Sequence, residues 1–324
     1  MRAIQVTEIG GPEVLRLAEL PDPEPEPGQL LVEVAAAGVN FLDTYQRSGA
    51  YPVPLPFIPG REGAGTVTAV GPDATGFATG EQVAWATSLG SYAEQVVVPA
   101  EQAVPVPPDL PIQTAAGCLL QGMTAHYLVV SVHGVQPGET VLVHAAAGGM
   151  GLLLTQMATA RGGRVIGTVS TPEKERLARE AGAAEVIRYT EIDDLAGEVR
   201  QLTGGAGVAA VYDGVGASTF DASLSSLRPR GMLALYGAAS GPVPPVDPQR
   251  LNSAGSVFLT RPTLGHYVAT REELLWRAGE VFDSILAGSL RITIGGRYPL
   301  ADAQRAHQDL QGRRSTGKLL LLPH

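Results

Sequence analysis

Between Thr140 and Thr260 short apolar runs recur at near-regular spacing with helix-patterned stretches between them, and no other feature of the 324 residues restricts the fold as tightly. The runs are Thr140-Val-Leu-Val-His, Arg164-Val-Ile-Gly-Thr-Val, Glu185-Val-Ile-Arg, Val208-Ala-Ala-Val-Tyr-Asp, Met232-Leu-Ala-Leu-Tyr and Ser256-Val-Phe-Leu-Thr. Strands alternating with helices make βαβ units and a parallel sheet, and six such strands complete one doubly wound sheet. The stretch 172–181 shows how the helices are bounded. Thr171 suits an N-cap, Pro172 the first helical position, and Gly182 follows the end.

The loop after the first strand carries the chemistry. His144-Ala-Ala-Ala-Gly148-Gly149-Met-Gly151 leads from strand to apolar helix, the context a dinucleotide-binding turn requires. Small residues let the backbone approach a pyrophosphate, and the helix N-terminus offers free amides and the positive end of its dipole. Ala146 stands where G-x-G-x-x-G has its first glycine. The next strand points to the nucleotide. Units that prefer NAD carry an acid about 20 residues beyond the loop, on the ribose 2′-hydroxyl. Here the strand ends in Ser170-Thr-Pro-Glu-Lys174, a hydroxyl and a lysine one turn apart. Such a pair suits a 2′-phosphate that an acid would repel, so NADPH is expected over NADH. The plainer reading makes Lys174 a solvated helix lysine. Tyr189, after the following strand, is placed to line the adenosine.

The first third is patterned as β structure: Ile4-Gln-Val-Thr, Leu30-Leu-Val-Glu-Val, Gly65-Thr-Val-Thr-Ala-Val and Tyr92-Ala-Glu-Gln-Val-Val-Val. After Thr260 come a helical stretch 270–287, a strand-like Arg291-Ile-Thr-Ile, a short helix 300–311 and the run Lys318-Leu-Leu-Leu-Leu. A net charge of −9 with no basic tract speaks against nucleic acid. The single cysteine, Cys118, allows no internal disulfide and no cysteine-built metal site, and suits a reducing compartment. With neither a leader pattern nor a membrane-length apolar stretch, a cytoplasmic protein is expected.

Gly10-Gly-Pro-Glu-Val-Leu15, Gly38-Val-Asn-Phe-Leu-Asp-Thr-Tyr-Gln-Arg-Ser-Gly49, Pro59-Gly-Arg-Glu-Gly-Ala-Gly65, the alanine-glycine loop and Thr260-Arg-Pro together resemble quinone oxidoreductases of the zeta-crystallin type, in the medium-chain dehydrogenase/reductase superfamily. The resemblance runs in order to Thr316-Gly-Lys-Leu-Leu. It implies an α/β chain with a GroES-like β-rich catalytic domain made by both chain ends (1–123 and 265–324) and a Rossmann domain (124–264) that binds NADPH. Zinc-dependent relatives hold their metal with Cys, His and an acid, whereas this chain has Gly38-Val-Asn40 and Gly60-Arg61-Glu62 in those regions, so no metal is expected. The resemblance further implies nucleotide contacts at Asn40, Asp43, Tyr45, Thr124, Tyr127, Gly148, Gly149, Gly151, Ser170, Lys174, Tyr189, Tyr236, Gly237, Thr260 and Arg313. Gln121 and Gly214 depart from the lysine and serine that some relatives carry.

A quinone accepts hydride without a Lewis acid, so the protein has to position a planar acceptor and stabilise or protonate its oxyanion. Asn40, Tyr45, Tyr51 and Arg261 are the candidates. Each also has a plain role: Asn40 as a helix cap, the tyrosines as half-buried packing, Arg261 as an ion-pair partner. His144 reads as packed and Asp213 as a turn former. Two other functions remain open: a metal-free reductase of activated C=C bonds in enones or enoyl thioesters, and an NADPH-binding structural or RNA-binding protein. An apolar last strand at Ser256-Val-Phe-Leu-Thr suggests a homodimer joined along that edge.

Overall fold

The six apolar runs pair side by side in a computed structural model of the chain, which describes residues 1–312 and 315–324. Among the described residues, their sheet runs Glu185–Arg188, Arg164–Val169, Thr140–Val143, Val208–Asp213, Leu227–Leu235 and Phe258–Thr260, with every neighbouring pair parallel. In chain order that is 3-2-1-4-5-6, the order of the doubly wound dinucleotide-binding fold. All of Val208–Asp213 is buried, which is why it reads as a continuous run rather than an alternating one. The fifth strand begins at Leu227 instead of Met232. Val208 pairs with Leu227 and Ala210 with Met232, so the intervening residues loop out of register and carry no strand pattern of their own.

The flanking segments form a second sheet, ordered Ile294–Pro299, Lys318–Leu322, Gln29–Val39, Glu62–Val70, Gln82–Trp85 and Val104–Pro105, with Gln95–Pro99 also on Gln29–Val39. The 11-residue strand Gln29–Val39 is the pivot. Its first half pairs with Gln95–Pro99 and its last residues pair with Leu319–Leu321, which joins the two chain ends in one sheet. The strand expected at 291–294 starts only at Ile294, since the Arg291 amide and carbonyl are taken by the Gln156 side chain rather than by a neighbouring strand.

Met1–Met123, Val268–Gly288 and Ile292–His324 form one compact unit; Thr124–Tyr267 and Ser289–Arg291 form the other. Tyr267 stacks flat on Tyr127 at 4.2 Å between centroids, which keeps 265–267 with the second unit rather than the first. Gln156 holds Arg291 there by accepting from its amide at 2.8 Å and donating to its carbonyl at 3.1 Å. The first unit packs around Ile4, Leu30, Val32, Trp85, Tyr92 and Leu319; the second around Leu142, Ile166, Val211, Phe220 and Leu233. Among the described residues no helix is long and apolar enough to cross a membrane.

Candidate active site

In the second unit the expected nucleotide contacts gather at the carboxyl ends of the parallel strands, the edge where open α/β sheets bind ligands. The loop after Thr140–Val143 opens at the point where the strand order reverses. It turns through Ala145 in the left-handed region (φ 50) and enters the helix Gly149–Ala160 from Gly148. Gly148 brings no side chain to the first-turn amides, which leaves those donors for an anion. Gly151 is needed because the helix lies so close to the loop that a Cβ would meet the Ala145 oxygen at 2.2 Å. These residues fit a dinucleotide pyrophosphate. After Arg164–Val169, the Lys174 ammonium approaches the Ser170 hydroxyl at 3.5 Å, and Thr171 caps the helix Pro172–Glu180 by accepting from the Lys174 amide at 3.2 Å. Tyr189 follows the next strand and is exposed. Tyr236 and Gly237 follow Leu227–Leu235, and the Tyr236 ring lies over Gly214, where a Cβ would come within 2.7 Å of it. That packing accounts for glycine at 214. Thr260 ends the last strand and Arg261 beyond it is exposed. Thr124 and Tyr127 lie on the helix Leu119–Tyr127, with Tyr127 buried under Tyr267. Arg313 lies outside the described residues.

Behind the loop, His144 is buried between Thr168 and Ser223, its Nδ1 3.1 Å from the one hydroxyl and its Nε2 2.9 Å from the other. Burial lowers its pKa. The Ser223 hydroxyl donates to Asp213 at 2.7 Å, and Asp213 also accepts the Val215 and Gly216 amides, which makes it a turn former. Serine rather than histidine sits in the middle of this set, so it fastens strands and helix behind the loop and is no catalytic triad.

In the first unit sheet register assembles a polar centre. Val39 pairs with Leu319 and Gly38 with Glu62, so Asn40, one residue past the end of Gln29–Val39, lies beside Lys318 and Glu62, the first residues of the two neighbouring strands. The Lys318 ammonium donates to Glu62 Oε2 at 2.5 Å and to Asn40 Oδ1 at 2.6 Å, and Asn40 Nδ2 donates to the same Oε2 at 2.9 Å. Glu62 Oε1 accepts the Leu120 amide at 2.8 Å. All three side chains are buried. Asn40 is the N-cap of the helix Phe41–Arg47, and its backbone amide donates to Asp43 Oδ2 at 2.8 Å.

A second line of polar groups runs from Asp43. Tyr92 donates to Asp43 Oδ2 at 3.0 Å and lies 3.0 Å from His307 Nε2, while Arg47 donates to His307 Nδ1 at 3.2 Å. The arginine fixes Nδ1 as an acceptor, so His307 carries its proton on Nε2 and gives that hydrogen bond to Tyr92. Burial raises the Asp43 pKa to about 6, and burial with Arg47 lowers that of His307 to about 3. Asp43 Oδ1 is buried and has no hydrogen-bond partner. Tyr45, half-buried on the same helix, stands between Phe41 at 6.3 Å and Tyr51 at 5.3 Å between ring centroids, and the Tyr51 ring is exposed.

Two family models match: alcohol dehydrogenase GroES-like domain over residues 26–108, and zinc-binding dehydrogenase over 149–275. A quinone oxidoreductase of Pseudomonas aeruginosa is 47% identical over 99% of both chains. The chain belongs to the quinone oxidoreductase family. A 2-haloacrylate reductase of Burkholderia is 44% identical, covering 99% of this chain and 98% of the relative. A mycobacterial protein solved in complex with NADPH matches over 100% of both chains at 58% identity and a TM-score of 0.97.

This member of the quinone oxidoreductases is a poor host for the zinc in the second model's description. The groups around Asn40 are a carboxamide, one carboxylate and an ammonium, and the ammonium already neutralises Glu62. Among the described residues no group of three His, Cys, Asp or Glu side chains is placed to hold a metal ion. Sequence reasoning passed over Lys318 and Glu62 as partners. The available signal was a lysine opening an otherwise apolar strand, but only strand register reveals what it meets.

Proposed function

We propose that this chain is an NADPH-dependent quinone reductase, which passes reducing equivalents from NADPH to a quinone without a metal. The observation that carries the reading is the row of rings Phe41, Tyr45 and Tyr51 on and beside the helix that Asn40 caps. Neighbouring rings in the row are tilted by 35° and 56°, so they offer aromatic edges and faces beside polar groups, which suits holding a planar acceptor. The similarity to a quinone oxidoreductase and to a protein solved with NADPH supports the same reading. NADPH supplies the hydride when bound. Gly148, Gly149 and Gly151 hold the pyrophosphate, Ser170 and Lys174 take the 2′-phosphate, and Tyr189, Tyr236, Gly237 and Thr260 line the same strand edge. Thr124 and Tyr127 complete the nucleotide contacts of the second unit, and Arg313 belongs to the same proposed set. Tyr45 and Tyr51 orient the acceptor; Asn40, Tyr45 and Arg261 are the groups to stabilise its oxyanion. Asp43 supports the Asn40 backbone.

We also infer a homodimer joined along Phe258–Thr260 and a cytoplasmic location, which the single buried cysteine suits. The 2-haloacrylate reductase relative favours a second reading, reduction of an activated C=C bond. Both are tested by following nicotinamide absorbance with EDTA-treated protein, NADPH or NADH, and 1,4-benzoquinone, 9,10-phenanthrenequinone or an enone, against uncatalysed controls. NADPH-preferring turnover of the quinones is expected. Turnover of the enone alone gives the second reading, and binding without turnover refutes both.

A further inference from the structure

The carboxamide of Asn40 sits between a group that only donates and a group that only accepts. Lys318 faces Oδ1 at 2.6 Å and Glu62 faces Nδ2 at 2.9 Å. A half-turn of the amide would set its NH2 against the ammonium and its oxygen against the carboxylate, losing both hydrogen bonds and adding two repulsions. A buried ion pair is a weak source of stability compared with apolar side chains of the same volume, and its better-attested use is to specify one arrangement. The surroundings are shaped for this pair. At Gly38 a Cβ would meet Glu62 Oε2 at 2.3 Å and Lys318 Cε at 2.8 Å, and at Gly117 one would meet Lys318 Cγ at 3.0 Å. We propose that Lys318, anchored by Glu62, is a positioning residue that fixes the polarity of the Asn40 carboxamide, and through it the start of the helix carrying Tyr45.

The consequence falls on what Asn40 can offer a ligand. Its backbone amide belongs to Asp43, and one Nδ2 hydrogen belongs to Glu62. Oδ1 faces the Lys318 ammonium and the Asp43 amide of the capping box, and the second Nδ2 hydrogen is held only weakly, 3.3 Å from the Gly38 oxygen. That hydrogen holds its place only while the polarity is fixed. The inference rests on the quinone-reductase reading for its kinetic consequence, though not for its geometry.

Lys318→Met alone would strand a buried carboxylate, so the working variant is Lys318→Met with Glu62→Gln, which removes both charges together. Its kcat for 9,10-phenanthrenequinone is expected to fall at least ~10-fold, with the NADPH Kd by fluorescence titration changed less than ~3-fold. Adding Asn40→Ala to that background should cost nothing further, because residues acting through one another are not additive. An unchanged kcat overturns the proposal, as does a loss that multiplies with Asn40→Ala or one confined to NADPH affinity. The second readout needs no turnover. The Asn40 side-chain amide, followed by NMR, should be protected from hydrogen exchange in the native protein and lose that protection in the paired variant. If the native protein reduces no quinone, the functional reading fails alone and the exchange measurement decides the positioning claim, equal exchange in the two proteins refuting it.

Discussion

His307 and Asp43 end a line of buried groups whose hydrogen bonds all point one way, from Arg47 through His307 and Tyr92 to the Asp43 carboxylate. Their pKa shifts oppose each other. His307 sits at about 3, below its ordinary 6.5, so the unfolded chain takes up a proton that the native state refuses, and stability falls as pH drops from 6.5 toward 3. Asp43 sits at about 6, above its ordinary 3.8, so its effect runs the other way: its contribution is full below 3.8 and is lost as pH rises through 6. Between about 4 and 6 each state holds one proton on the pair, and the two slopes cancel. Asp43→Asn removes one side of that balance. Its unfolding free energy, measured by urea titration at pH 4, 5 and 6, should fall on acidification by ~1.4 kcal/mol per pH unit more steeply than the native protein's. Parallel profiles would refute the assignment. At Lys174 the expected change is in affinity. Lys174→Glu replaces a charge-assisted contact to a 2′-phosphate, worth about 1.5–3 kcal/mol, with a repulsion. NADPH should bind ~10–100-fold more weakly with NADH little changed, and equal losses for the two nucleotides would make Lys174 an ordinary surface lysine.

Elements were legible in the sequence to the extent that they are periodic or capped. The run Val208–Asp213 and the Thr171–Pro172 helix start are visible in the residues themselves, since burial on both faces and capping are local properties. What was not legible depends on register. Lys318 reads as the start of an apolar strand until Leu319 is known to pair with Val39, and the early start at Leu227 follows from a bulge that leaves no composition signal. The phosphate loop lies between these cases: its glycines are visible, but only the structure separates their duties. Gly151 is held by contact, so Gly151→Ala sets two terms against each other. Alanine gains about 1 kcal/mol of helix propensity, and crowding the Ala145 oxygen costs about 1–3 kcal/mol. The crowding should win, with a lowered melting temperature and at least ~10-fold weaker NADPH binding in a fluorescence titration. An unchanged Kd would show that the loop gives way without losing its shape.

At the scale of the whole molecule the proposed homodimer needs a surface that can join two copies. The parallel sheet has two edges, and they are protected unequally. Glu185–Arg188 carries charge along its edge, with Arg164 2.9 Å from Glu185 and Arg188 3.2 Å from Glu175, and charged edges discourage strand pairing. Phe258–Thr260 has no charged residue, and the Phe258 side chain is 57% exposed. A two-fold axis beside this strand would continue the sheet into a second copy and cover Phe258 twice, because an isologous interface uses each residue on both sides. Fully burying a phenylalanine contributes about 1.5–3 kcal/mol and Phe258 is 57% exposed, so Phe258→Asp should cost about 2–3 kcal/mol per dimer, before the added repulsion of two carboxylates facing each other. That corresponds to a dissociation constant raised ~20–300-fold. Light scattering at micromolar concentration is expected to give the mass of two chains for the native protein and of one for Phe258→Asp, with unchanged circular dichroism. A native monomer would remove the dimer reading, and a variant that stays dimeric would move the interface away from this strand.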